Sequence, residues 1–175
     1  MRRLLDLPAV WCVDFEYFAP PRARGRLRPI CMSAVEFQSR RRISLWLWDD
    51  PPAKSPFDGD WTLCAYAAQA EVSCFIEFGW RLPPRTIDAF AEFRAATNGL
   101  RLPGTNGLLG ALDHYGITTS TDQARKDQMR DLCIAGGPFS EEQKVEIMAY
   151  CDEDALALAK LLEALEADNR GGSND

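Results

Sequence analysis

Apolar residues gather early in the chain in a pattern that predicts strands. From Ala9 to Glu16 the run is rich in Val, Trp, Cys and Phe and reads as a buried strand. Ala19-Pro20-Pro21 and Gly25 break it and predict a loop. Pro29 to Phe37 is a second apolar strand. Arg42 to Trp48 alternates, with Ile43, Leu45 and Leu47 on one side and Ser44, Trp46 and Trp48 on the other. Ser39 and its basic neighbours fall between these two as a hairpin. The expectation is an antiparallel meander of three strands.

Asp49 to Asp60 is a polar, Pro-rich connection, and Trp61 to Ala67 is a fourth short apolar run. Gln69 to Phe78 reads as a helix with Val72, Phe75, Ile76 and Gly79 along one side, and Gly79 is its natural stop. Arg85-Thr86-Ile87-Asp88 is a candidate fifth strand, followed by a helix through Arg94 that Thr97-Asn98-Gly99 ends. A short helix from Gly107 to Tyr115 and two more, Thr121 to Cys133 and Ser140 to Ala167, complete the pattern. The last opens on Ser140-Glu141-Glu142-Gln143, a capping sequence. Strands first, then a strand–helix–strand step, then helices, predict one mixed α/β domain over 1–169 with a frayed polar tail at 170–175.

Composition fits a globular protein of 175 residues, with 46% hydrophobic and 26% charged residues. No apolar run is long enough for a membrane span, and the start of the chain does not read as a signal peptide, so a cytoplasmic protein is expected. The six cysteines form no C-x-x-C pair and read as reduced, buried thiols. The net charge of −6 argues against holding nucleic acid by bulk positive charge, but not against an acidic cleft that meets phosphate through recruited cations. Basic residues cluster at Arg22, Arg24, Arg26 and Arg28 and at Arg40, Arg41 and Arg42. They are read as turn decoration or as phosphate contacts. Trp46, Trp48, Trp61 and Trp80 read as core or sheet-packing residues, and His114 as a surface or partly packed helix residue.

Two acidic features carry the chemistry. Asp14 and Glu16 lie two apart on the first strand, so their side chains share a face. Carboxylates on one face of an apolar strand are costly to bury and repel each other, and a divalent cation relieves both costs. Taken alone, the pair is better described as the solvent-exposed face of an edge strand. The second feature is Tyr150-Cys151-Asp152-Glu153-Asp154 in the last helix. Tyr150 and Asp154 are one turn apart beside a buried stripe of Ile147, Cys151, Ala155, Leu158, Leu161 and Leu162. Asp152 and Glu153 read as an ordinary solvated acidic surface.

Together, Asp14-x-Glu16 on the first strand and Tyr150-x-x-x-Asp154 on a C-terminal helix resemble the first and third motifs of the DEDD 3′→5′ exonucleases. The match is to the tyrosine subclass, which includes the proofreading domains of family A DNA polymerases and ribonuclease D. Glu71, early in the helix after the fourth strand, matches the second motif, with Asp88 as its competitor. The chain departs from the family pattern there, having Glu71 where Asp is usual and Ala67 where Asn usually precedes it. Glu92-Phe93-Arg94, Asn106-Gly107-Leu108 and Lys126-Asp127-Gln128-Met129-Arg130 resemble the exonuclease regions of phage and actinobacterial family A polymerases, and the likeness spans roughly 9–165.

The resemblance implies a ribonuclease H-like fold, a five-stranded mixed sheet flanked by helices. It implies two divalent cations, Mg²⁺ or Mn²⁺, held by Asp14, Glu16, Glu71 and Asp154, with Tyr150 orienting the attacking water. It also implies release of nucleoside 5′-monophosphates from single-stranded or frayed DNA 3′ ends in a bacterial or phage-infected cell, with a DNA polymerase domain or subunit as a further partner. Tyr17 and Phe18, directly after Glu16, are candidates for stacking on the terminal base. Lys126 and Arg130, on one helix face, are candidates for phosphate contact. The alternatives are an RNA exonuclease of the ribonuclease D kind and a catalytically weak exonuclease-fold module for nucleic-acid binding or polymerase docking.

Overall fold

The computed structural model describes residues 6–20, 26–102 and 104–171. Arg22 and Arg24 of the first basic cluster lie outside them, as do residues 172–175 of the expected tail. The strands are β1 (Val10–Phe18), β2 (Arg28–Glu36), β3 (Arg42–Trp46), β4 (Thr62–Ala65) and β5 (Arg85–Asp88). The helices are α1 (Gln69–Glu77), α2 (Ala89–Ala96), α3 (Leu108–His114), α4 (Gln123–Ala135) and α5 (Glu141–Gly171). The tail was expected to begin at 170, but α5 continues through Gly171, because no helix-breaking residue interrupts it before that glycine.

The strands form one five-stranded open sheet in the order β3-β2-β1-β4-β5. The expected meander is present: β1–β2 and β2–β3 pair antiparallel, whereas β1–β4 and β4–β5 pair parallel. The β1–β4 ladder runs only from Val10↔Thr62 to Cys12↔Cys64. Beyond Cys12, β1 continues on β2 alone, with Asp14 opposite Ser33 and Glu16 opposite Cys31. Asp14 and Glu16 therefore stand past the C-terminal end of β4. There one connection leaves toward β2 and the other toward α1 and β5, the switch point at which open sheets form crevices.

Strand alternation sorts β1 onto two faces. Trp11, Val13 and Phe15 pack with Met32, Leu63, Trp61 and Trp80 against Cys74 and Phe75 of α1. The opposite face holds two separate apolar clusters. One joins Val10, Cys12 and Cys64 to Phe93, Leu112, Leu158 and Leu162. The other joins Ile30 and Cys31 to Cys133, Phe139, Ile147 and Cys151. Asp14 and Glu16 are the β1 residues that fall between them. Ile76 departs from the expected inward side of α1 and is 60% exposed, because the stripe that α1 buries is Glu71, Cys74 and Phe75.

The segment before α3 is fastened on several sides. The Tyr66 hydroxyl donates to the Asn106 carbonyl at 2.5 Å, and Arg94 donates to Asn106 Oδ1 at 3.1 Å. Gly110 of α3 sits so close to this segment that a Cβ would come within 1.8 Å of the Thr105 carbonyl oxygen. At an open helix position Gly→Ala stabilises by about 1 kcal/mol. Here the backbone clash reverses the sign, so Gly110→Ala is expected to destabilise by about 1–3 kcal/mol in urea denaturation. An unchanged or raised midpoint would contradict this packing.

Candidate functional site

Asp14, Glu16, Glu71 and Asp154, from three stretches of chain, line one cavity of about 740 Å³, together with Tyr150, Tyr17, Lys126, Arg130 and a fifth carboxylate, Asp127 of α4. Asp14 and Glu16 enter from β1 and Glu71 from the first turn of α1. Tyr150 and Asp154 enter from consecutive turns of α5. Glu71, Tyr150 and Asp154 are all buried, at 4%, 4% and 5% exposure. Asp14 is only partly buried as a residue, but its Oδ2 is sealed from solvent.

Glu71 reaches the cavity because of the turn before it. Ala67 has φ +63°, a left-handed conformation that costs a non-glycine residue about 1–2 kcal/mol. The Asp88 carboxylate holds this turn, accepting from the backbone N–H of Ala67 at 3.2 Å and of Ala68 at 3.1 Å. The same carboxylate caps α2, accepting from Phe90 and Ala91. With its oxygens committed to four N–H groups, Asp88 is an anchor for the Glu71 turn, and it is Glu71 that lines the cavity.

The polar contacts around the acids are sparse. The Cys151 thiol donates to the Asp14 carbonyl at 3.4 Å and the Cys133 thiol to Glu16 Oε2 at 3.5 Å. Lys126 Nζ lies 3.4 Å from Asp154 Oδ2. Asp14 Oδ2 and Glu71 Oε2 are buried with no hydrogen-bond partner, which leaves two acceptors desolvated without compensation.

The electrostatics follow from this crowding. Burial first, and then the charge of Asp154, raise the Asp14 carboxyl to about 7 against the opposing pull of Cys151 and Lys126. Burial, then Asp14 and Asp154, push Glu16 well above the usual carboxylate range. Burial and Asp14 do the same to Glu71. Tyr150 is raised by burial and then by Asp154, so its phenol keeps its proton. Burial followed by nearby Cys74 and Glu71 also raises Tyr17.

The donor set is all carboxylate oxygen, which suits a hard divalent cation better than zinc or copper. The two unpartnered buried oxygens are what a cation would satisfy, so the residues present fit such an ion. Among the described residues no three His, Cys, Asp or Glu side chains form a ready-made cage as they stand.

The other expected residues are placed as follows. Tyr17 lines the cavity, but Phe18 does not. It packs with Trp48, Phe139 and Cys133 and lies under Gly136. Arg130 lines the α4 wall with its guanidinium engaged by Asp127 at 2.9 Å and Asp131 at 3.2 Å. His114 stands away from the acids, edge-on to Phe93 and Tyr115. All six cysteines are free and buried.

Asp152 and Glu153 are not the solvated surface expected of them. Asp152 Oδ1 accepts hydroxyls from Ser33 and Ser44 at 2.5 Å each, and Glu153 accepts from Thr121 at 2.8 Å and faces Arg125 at 3.8 Å. These acids fasten α5 to β2, β3 and the start of α4. Two serines on the faces of apolar strands were the available signal. Nothing in the linear pattern pairs Lys126 with Asp154.

No protein-family model matches the chain, and no curated protein matches it either.

Carboxyls raised in the folded state bind protons that the unfolded chain releases. Their contribution is therefore fully present below the ordinary carboxylate range and lost as pH rises through about 7 for Asp14. In chelator, stability is expected to fall between about pH 4 and pH 8, and Asp14→Asn should flatten that slope. At pH 8 the variant should gain on the order of 1–2 kcal/mol, read by denaturant titration. A wild-type stability that rises over this range would rule out the assigned burial of the acids.

Proposed function

We propose that this chain is a metal-dependent 3′→5′ exonuclease built on a ribonuclease H-like fold. The observation that carries the proposal is the meeting of Asp14, Glu16, Glu71 and Asp154 with Tyr150 in one cavity, where two buried carboxylate oxygens lack partners. The sheet order, with an antiparallel β2–β1 pair beside parallel β4 and β5, supports the fold reading.

The reaction is hydrolysis of the last phosphodiester. A water oxygen bonds to phosphorus, the P–O3′ bond breaks, and a nucleoside 5′-monophosphate leaves a strand with a new 3′ hydroxyl. Two divalent cations held by Asp14, Glu16, Glu71 and Asp154 would supply charge stabilisation at the phosphoryl oxygens and activation of water. Tyr150, buried and protonated, donates a hydrogen bond that orients the attacking water rather than removing its proton. Tyr17 offers a ring at the cavity wall for the terminal base. Lys126 stands on the α4 wall, where the phosphates of the strand would pass, and Arg130 would join it there by exchanging Asp127 and Asp131 for phosphate. Cys133 and Cys151 hold Glu16 and the β1 backbone in place from the α4–α5 side.

Matched 5′-labelled DNA and RNA single strands, incubated with Mg²⁺ or Mn²⁺, provide the test. The expected result is stepwise shortening from the 3′ end, faster on DNA. Asp14→Ala should reduce it about 10³-fold, the scale for removing one electrostatic stabiliser of a transition state. Faster shortening of RNA would move the assignment to the ribonuclease D kind. Equal inertness of wild type and Asp14→Ala with both metals would refute the enzyme and leave a nucleic-acid-binding or polymerase-docking module.

A further inference from the structure

One cation on the cavity wall touches the acidic cluster directly. Lys126 Nζ lies 3.4 Å from Asp154 Oδ2, with the lysine side chain 32% and the aspartate side chain 7% exposed. The pair is therefore dry on the acid's side and wet on the base's. Of the neighbouring cations of α4, Arg130 is bonded to Asp127 and Asp131, and Arg125 faces Glu153 at 3.8 Å. Lys126 is also the positive charge that opposes the upward shift of both Asp14 and Glu16. Glu71, at 4% exposure, still has Oε2 without a partner, so one ammonium does not satisfy the cluster.

We propose that Lys126 is a built-in competitor for divalent cations, its ammonium and an ion contending for the same oxygen of Asp154. The inference rests on reading the four carboxylates as ion ligands. An ammonium is a compact point charge on a flexible stem, so it neutralises a carboxylate without fixing its geometry. A divalent ion at Asp154 would meet a like charge at contact distance, and the lysine must then swing toward the open mouth of the cavity. Its half-wet position on α4 leaves that path open. The displaced ammonium arrives on the wall along which the phosphates of a bound strand would run. Filling the ion site and creating a phosphate contact are thus one motion.

The test is Mn²⁺ affinity, measured calorimetrically on the full chain for wild type, Lys126→Met and Lys126→Arg. Removing the competitor should tighten binding about tenfold, the inverse of the fraction of sites it leaves open, while Lys126→Arg stays near wild type. In chelator Lys126→Met should melt below wild type, and saturating Mn²⁺ should erase the difference. A merely structural lysine would leave the Mn²⁺ affinity unmoved. Lys126→Gln gives the same comparison if the methionine variant does not fold. Asp14→Asn should abolish binding in each background, which assigns the bound ion to this cavity. Equal or weaker Mn²⁺ binding in the uncharged variants overturns the competitor and leaves the ion site standing. Absence of Mn²⁺ binding in every variant overturns the ion site and the competitor with it.

Discussion

The structure is organised around two carboxylates placed where a hydrophobic core would otherwise be continuous. On the face of β1 that meets α5, Val10 and Cys12 belong to one apolar cluster and the Cys31 side of β2 to another, and Asp14 and Glu16 occupy the gap. A core residue there would join the clusters and add burial stabilisation. The acids forgo that, and instead burial and the charge of Asp154 raise Asp14, while burial and the charges of Asp14 and Asp154 raise Glu16. The molecule tolerates the cost because β1 is secured elsewhere, by the whole length of β2, by β4 over its first residues and by α1 on its other face. The rigid scaffold surrounds the site, and the unfavourable electrostatics are confined to it.

The surroundings of the acids are built to the same end. Asp88 sets the turn that aims Glu71. The thiols of Cys133 and Cys151 fill the space behind Glu16 and Asp14 as weak donors, leaving most of the carboxylates' hydrogen-bonding capacity unspent. Asp152 and Glu153, beside the two cavity-lining residues of α5, bond to Ser33, Ser44 and Thr121 and so fix the rotation of the helix. With that rotation fixed, Tyr150 and Asp154 face the cavity.

Much of this was legible from the chain. The strands have strong apolar patterns, and α5 has a long helical stripe, so the strands were read to within about two residues and α5 at its start, though not at its end. The Asp14–Glu16 pair stood out as charge in an apolar strand, and Tyr150 and Asp154 as a one-turn pair at the edge of a buried stripe. What was hidden depends on tertiary contact. Short α1 carries too few turns for its stripe to be resolved, so Ile76 was placed inward. Asp88 reads as an ordinary helix cap, and only the parallel β4–β5 pairing brings it to the Ala67 turn. The partner of Lys126 lies 28 residues away on another helix. Phe18 follows the acids in sequence, yet it turns into the packing beside Trp48 and Phe139.

Asp88 ties the geometry of the cavity to a part of the fold that never touches it. One side chain ends β5, starts α2 and holds the turn that presents Glu71, so these three elements cannot vary independently. A glutamate at this position would keep the charge but reach one methylene too far to serve both helix starts at once. Sequence drift in the β5–α2 corner would therefore register as loss of the fourth carboxylate, with the cleft residues themselves unchanged.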